Sequence, residues 1–120
     1  MKLRIKGNSV RVRLTKSEVE KICTDSILEE STLFGNNVFR YELRKDNLEK
    51  NLSAKFESGK ISILLPSPLI QDWNINETVG FNRTTDDGLD ILVEKDFKCL
   101  DETTEDQSDN FENPHTTCQE

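Results

Sequence analysis

The sequence predicts a small β-rich α+β domain with a barrel-like body and an acidic, extended C-terminal tail. Apolar and charged residues alternate along most of residues 1–99, which is typical of strands with one buried face. Two short segments carry helix-start signals instead. Residues 100–120 contain seven acidic residues and no basic one, in a chain whose net charge is −7.

The distribution of apolar residues divides the chain into a body and a tail. Residues 1–99 hold all but three of the apolar residues, which is enough for one hydrophobic core, so we expect a single domain there. Residues 100–120 hold the other three, namely Leu100, Phe111 and Cys118. Such a segment cannot bury enough surface to offset its ordering entropy, so we expect an extended or disordered acidic tail.

The N-terminal residues predict a hairpin followed by a helix. Leu3 and Ile5 alternate with basic residues, and the alternation resumes after the Gly7-Asn8 turn, giving one apolar face and one basic face. Thr15 and Glu18 form a capping box, which predicts a helix over 16–23. Ser67-Pro68 predicts a second short helix through Trp73, with Ser67 as its cap. Further strands are predicted at 27–32, 37–44, 52–57, 60–65, 77–82 and 89–95.

Two segments of the body match each other at an offset of 51 residues. The aligned apolar pairs include Leu14 with Leu65, Ile22 with Trp73, Ile5 with Phe56, Val10 with Ile61 and Leu28 with Val79. One strand-strand-helix-strand unit cannot bury its own sheet face, so two such units are expected to close into a barrel without exposed edges. Trp73, Phe56 and Phe81 then fall at core positions. The alternative is an irregular α+β domain without a repeat.

The first hairpin resembles a known class of DNA-binding domain. The stretch from Lys6 to Leu14, KGNSVRVRL, is similar to the start of swapped-hairpin domains of the AbrB and MazE-antitoxin type, and GKISILLP at 59–66 is similar to a second copy of that pattern. In those proteins two chains exchange hairpins to make one barrel. The resemblance implies that a tandem copy builds such a barrel within one chain.

A second resemblance covers nearly the whole chain. The opening MKLRIKGNSVRVRLTKSEV, the central FGNN at 34–37 and the segment VEKDFKCLDETTEDQSDNFENP are similar to a family of short bacterial proteins catalogued only as a domain of unknown function. This resemblance implies kinship and assigns no activity, substrate or site residue.

The basic hairpin is one candidate binding site. Its candidate residues for binding nucleic acid or phosphate are Lys6, Asn8, Ser9, Arg11 and Arg13. Guanidinium groups on the outer faces of adjacent strands could engage phosphates bidentately. The alternative is that this face is simply solvated.

The tail supplies a second candidate site, for a metal ion. Cys99, His115 and Cys118 are soft ligands suited to zinc, and Cys23 or a tail carboxylate could complete a tetrahedron. The alternative, which we favour, is that Cys99 ends a strand as a small buried residue and that the other two bind nothing.

Catalysis is not expected, because the single histidine, His115, lies in the tail and no Gly-rich phosphate loop is present. We expect a non-enzymatic binding module that needs no cofactor. Its acidic tail would bind an unidentified protein partner or cover the basic hairpin as an autoinhibitory element. The alternatives are DNA or RNA binding by the hairpin and a small metal-binding protein. Without an apolar stretch of ~20 residues, we expect a cytoplasmic protein with no membrane association.

Overall fold

The computed structural model describes residues 1–97, in which every predicted strand and helix is present, with shifted bounds. The elements in chain order are β1 (Lys2–Lys6), β2 (Ser9–Leu14), α1 (Lys16–Asp25), β3 (Ile27–Phe34), β4 (Asn37–Asp46), β5 (Ser53–Glu57), β6 (Lys60–Pro66), α2 (Ser67–Ile70), β7 (Gly80–Thr84) and β8 (Asp90–Lys95).

The strands form two four-stranded sheets. The first sheet has the order β1-β2-β8-β7 and the second sheet has the order β3-β4-β6-β5. In each sheet the two central strands are parallel, and each outer strand is antiparallel to its neighbour. Residues 1–97 therefore form no closed barrel, and the barrel prediction is wrong.

The strand pairing repeats between the two halves of the chain. Lys2 pairs with Arg13 and Ser53 pairs with Leu64, so the two first hairpins share one register at the predicted offset of 51. The repeating unit also contains β4 or β8, so it has four strands rather than the predicted three. Each unit places its second hairpin beside the first hairpin of the other unit. Two open sheets result, because each sheet is completed by this exchange.

The offset of 51 residues continues through the helices, but it changes in the strands that follow them. Leu14, Leu65, Ile22 and Trp73 are all fully buried, as expected for equivalent core positions. After the helix the offset changes, and the strand register makes Phe81 the equivalent of Leu28. The predicted partner of Leu28, Val79, is 53% exposed, so that part of the alignment is wrong.

Helix α1 begins as the sequence predicts. The Thr15 hydroxyl accepts a hydrogen bond from the Glu18 amide, and the Thr15 amide donates to Glu18 Oε1 at 2.8 Å. The same carboxylate contacts the amino group of Met1, which also lies 2.9 Å from Glu30 Oε2. Burial opposes the charge on this amino group, but the hydrogen bonds and charges of the two carboxylates outweigh it and raise its pKa above 8.0.

Helix α2 is shorter than predicted. It ends at Ile70, and Trp73 lies in the turns that follow. Asp72 has a positive φ of 61°, which is incompatible with a right-handed α-helix. Ser67 is the first helical residue rather than the cap, and its hydroxyl donates to Asn47. The Trp73 indole nitrogen donates to the Thr78 carbonyl at 2.8 Å. The turns therefore bury the indole, at the sequence position that the 51-residue offset pairs with Ile22.

The buried apolar residues of both sheets and both helices belong to one hydrophobic cluster. No helix within residues 1–97 is long and apolar enough to cross a membrane. The acidic tail lies outside the described residues, so its expected extended or disordered state and the domain boundary at residue 99 stay predictions.

Candidate functional site

The outer face of the first sheet carries the basic side chains of the N-terminal hairpin. Because side chains alternate along a strand, β1 and β2 point their basic residues to the same side. The antiparallel register places Arg4 opposite Arg11 and Lys6 opposite Ser9. We call this surface the basic face, and its cationic residues are Lys2, Arg4, Lys6, Arg11 and Arg13.

A cleft of about 520 Å³ lies at the turn end of the basic face. Arg4, Lys6, Arg11 and Arg83 supply cationic side chains to its lining, and Asp90 supplies a carboxylate. Strands β7 and β8 complete the lining, so the cleft extends across all four strands of the first sheet. Its excess of positive charge suits an anionic group.

The other end of the basic face is neutralised by the carboxylates of Glu94 in β8 and Asp96 just after it. Glu94 Oε2 accepts a hydrogen bond from Arg13 Nε at 2.9 Å and lies 3.6 Å from Arg11 Nε. Asp96 lies 3.3 Å from Lys2 Nζ and 3.9 Å from an Arg13 guanidinium nitrogen. The sequence pattern does not indicate these ion pairs, because only the parallel pairing of β2 with β8 brings together residues that are more than 80 positions apart.

Two predicted binding residues hold the hairpin turn in place. Asn8 Nδ2 donates to the Gly88 carbonyl at 2.7 Å and thereby ties the first turn to the turn between β7 and β8. Ser9 Oγ donates to the Lys6 carbonyl at 2.6 Å. Of the five residues predicted for anion binding, Lys6, Ser9 and Arg11 line the cleft, Arg13 lies in the neutralised part, and Asn8 braces the turn.

The metal site proposed from the sequence lies outside the described residues, since Cys99, His115 and Cys118 all follow residue 97. Cys23, the suggested fourth ligand, is half-buried, and its thiol donates to the Ile70 carbonyl at 3.3 Å. Among residues 1–97, no group of three or more His, Cys, Asp or Glu side chains could hold a metal ion.

The outer face of the second sheet holds a buried carboxylate that the sequence pattern did not indicate. Glu42 is only 4% exposed. One of its oxygens accepts from Ser62 Oγ at 2.7 Å, and the other lies 3.3 Å from an Arg44 guanidinium nitrogen and 3.2 Å from Lys60 Nζ. Burial works against ionisation, but these partners hold the pKa of Glu42 below its usual 4.5. Because both oxygens have partners, we interpret this cluster as structural.

An apolar cleft of about 350 Å³ opens between the two sheets near the ends of β1 and β5. We call it the apolar cleft. Its lining consists of Ala54, Lys55 and three pairs of equivalent positions, namely Ile5 with Phe56, Val10 with Ile61 and Phe39 with Leu89.

The apolar cleft corrects one core prediction. Phe56 is 65% exposed and Ile5 is 55% exposed, so Phe56 does not lie in the core. Trp73 and Phe81 do pack together, with ring centroids 4.9 Å apart. Strand alternation correctly places Phe56 on the apolar face of β5. At this end of the strand, however, the other sheet does not cover the apolar face.

A comparison with known families matches residues 1–115 to a model described as a family of unknown function, DUF7009. No curated protein and no solved structure matches the chain. The similarity of the hairpin to swapped-hairpin DNA-binding domains therefore stays a prediction. The match spans nearly the whole chain and confirms the predicted kinship with a domain of unknown function: the chain belongs to the DUF7009 family.

Proposed function

We propose that this chain is a non-enzymatic binding module in which the basic face binds an anionic group and the acidic tail competes for the same face. The observation that carries this proposal is the cleft of about 520 Å³, where Arg4, Lys6 and Arg11 come together. Guanidinium groups from two adjacent strands can donate paired hydrogen bonds to one carboxylate or phosphate.

The charge distribution favours a short acidic protein segment as the ligand. Glu94 and Asp96 pair with Lys2, Arg11 and Arg13, so carboxylates already occupy the end of the basic face away from the turn. A long nucleic acid would bring phosphates against these two carboxylates, whereas a segment with a few acidic side chains need only contact the cleft.

The place where the described residues end supports competition within the chain. Strand β8 lies beside β2 in the same sheet, and the Asp96 amide just beyond it donates to the Leu14 carbonyl at 2.8 Å. The described residues therefore end at Phe97, just beyond the Leu14 end of β2, and residues 100–120, which follow in the sequence, carry seven acidic residues and no basic one. Tethering raises their effective concentration at the face to roughly millimolar, so even weak attraction competes with a free ligand.

Heparin titration of the full-length chain tests this proposal. In the tail variant, Asp101, Glu102, Glu105, Asp106 and Asp109 are replaced by Asn or Gln. We expect this variant to bind heparin more tightly than the wild type and with a steeper dependence on salt, because its basic face is no longer covered.

A matched pair of substitutions shows whether the basic face is responsible. Arg4→Ser in the tail variant should weaken heparin binding. Lys21→Ser, which removes the same charge from an exposed position of helix α1, should leave heparin binding unchanged. Equal effects of the two substitutions would show nonspecific attraction and refute the assigned site. If the tail variant stays indifferent to heparin, the tail is instead a partner-binding element, and a pull-down that succeeds with the full chain should fail with the variant.

DNA or RNA binding is the second candidate, favoured by the placement of Arg4 directly opposite Arg11 on a two-stranded hairpin. The same titration with fluorescent DNA separates the two. Affinity that grows with DNA length and falls steeply with salt supports nucleic acid, whereas binding of acidic peptides alone supports a protein ligand.

A further inference from the structure

The apolar cleft has two features of a docking site for a single aromatic side chain. Ile5 and Phe56 expose more than half of their surface at its mouth, while Val10 and Ile61, each 8% exposed, belong to the hydrophobic core behind them. Docking an aromatic ring there would remove apolar surface from water without requiring a new backbone contact.

The charges around the apolar cleft favour an acidic occupant. On β1, Ile5 lies between Arg4 and Lys6, whose side chains point to the opposite face of this edge strand and line the cleft of the basic face. Lys55 lines the apolar cleft itself, and its ammonium lies 3.9 Å from the Glu57 carboxylate. An apolar anchor with acidic neighbours would therefore meet positive charge beside β1, on the edge of the first sheet.

The acidic tail contains such a sequence. Phe111 is the only aromatic residue of residues 98–120, and it lies between Asp109 and Glu112. Phe111 lies fourteen positions after Phe97, a distance of up to about 50 Å along an extended chain. Phe97 follows the Leu14 end of the first sheet, and the run back along β2 to Val10 covers only about 13 Å. The length of the tail thus permits Phe111 to reach the apolar cleft after crossing the basic face.

We propose that Phe111 of the same chain docks into the apolar cleft between Ile5 and Phe56, with its acidic neighbours beside the cations of β1. This inference rests on the proposed function, because it names the anchor that holds the acidic tail over the basic face. The docked ring positions the acidic residues that precede it along the cleft of the basic face. The tail then acts as a specific intramolecular competitor, and its attachment has an apolar part that salt does not screen.

Methyl NMR of the full-length chain tests the docking directly. The probes are the methyl groups of Ile5, Val10 and Ile61, whose resonances an adjacent aromatic ring shifts. Phe111→Ala should move these resonances, and the matched variant Asn110→Ala should leave them unchanged. Methyl groups of Ile22 and Ile70, which lie in the helices, should not respond to either substitution.

The heparin titration provides a second readout. Phe111→Ala should raise heparin affinity by about tenfold, the factor that corresponds to ~1.4 kcal/mol of lost docking free energy. Asn110→Ala should not change it. The salt dependence distinguishes the anchor from the acidic residues, since the gain from Phe111→Ala should persist at higher salt while the gain from the tail variant should shrink.

The outcomes separate this inference from the proposed function. Unchanged Ile5, Val10 and Ile61 resonances in Phe111→Ala overturn the docking, even if the tail variant still binds heparin more tightly and so supports the proposed function. Shifted resonances without any gain in heparin affinity support the docking and refute competition at the basic face. If the resonance differences between the wild-type chain and Phe111→Ala disappear when both are diluted, Phe111 docks into a second copy of the chain. That result overturns the intramolecular assignment.

Discussion

Replacing Trp73 by Ala should remove a large part of the stability of the domain. The indole is fully buried, its ring packs 4.9 Å from that of Phe81, and its nitrogen donates to the Thr78 carbonyl. Truncating such a side chain costs ~3–5 kcal/mol, because the transfer free energy is lost and a cavity remains. A domain of this size has ~5–15 kcal/mol of unfolding free energy in total. With a urea m-value of ~1–3 kcal/mol/M, the midpoint should fall by about 2 M.

Urea unfolding followed by far-UV circular dichroism measures this loss, because the substitution removes the only tryptophan of the chain. Ile22→Ala, at the equivalent position of the first unit, should cost ~2–5 kcal/mol. Trp73→Phe should cost less than Trp73→Ala, since it keeps an aromatic ring but leaves the Thr78 carbonyl without its donor. The control is Leu48→Ala, because Leu48 is 90% exposed. If Trp73→Ala lowered the unfolding free energy no more than this control, the assignment of Trp73 to the core would be wrong.

Three further predictions concern ionisation and metal. Glu42 has a lowered pKa in the folded chain, so its contribution to stability is present above its unfolded pKa near 4.5 and is lost as the pH falls through the folded value. Glu42→Gln should remove that part of the acid destabilisation. It should also lower the unfolding free energy at pH 7 by ~1–3 kcal/mol. The Met1 amino group has a raised pKa, so its contribution to stability is present below pH 8.0 and is lost as the pH rises through the folded value. Acetylating this amino group should lower the thermal midpoint at pH 7 and flatten the loss of stability above pH 8. An unchanged pH profile would contradict the ion pairs with Glu18 and Glu30. Zinc should not copurify in stoichiometric amount, and elemental analysis that finds one equivalent, lost in Cys118→Ser, would reverse our preference.

The elements that the sequence predicts correctly are those that depend on neighbouring residues. Strand alternation over Lys2–Leu14 fixes which side chains share a face, and the capping box of Thr15 and Glu18 fixes where α1 begins. The 51-residue offset also identified the buried pair Ile22 and Trp73, because equivalent core positions need apolar residues in both units. Prediction was poorer where a local signal was weak, as in α2, whose end depends on the left-handed Asp72.

The tertiary structure decided the features that depend on distant residues. The sequence by itself determined a basic outer face on the first hairpin, but only the parallel pairing of β2 with β8 revealed that Glu94 and Asp96 neutralise one end of it. Alternation likewise gave Phe56 the correct face and could not show that the end of that face lies open beside Ile5. The physical reason is the same in both cases. A side chain's direction follows from its own strand, whereas its charge environment and its burial are set by strands that the chain reaches tens of residues later.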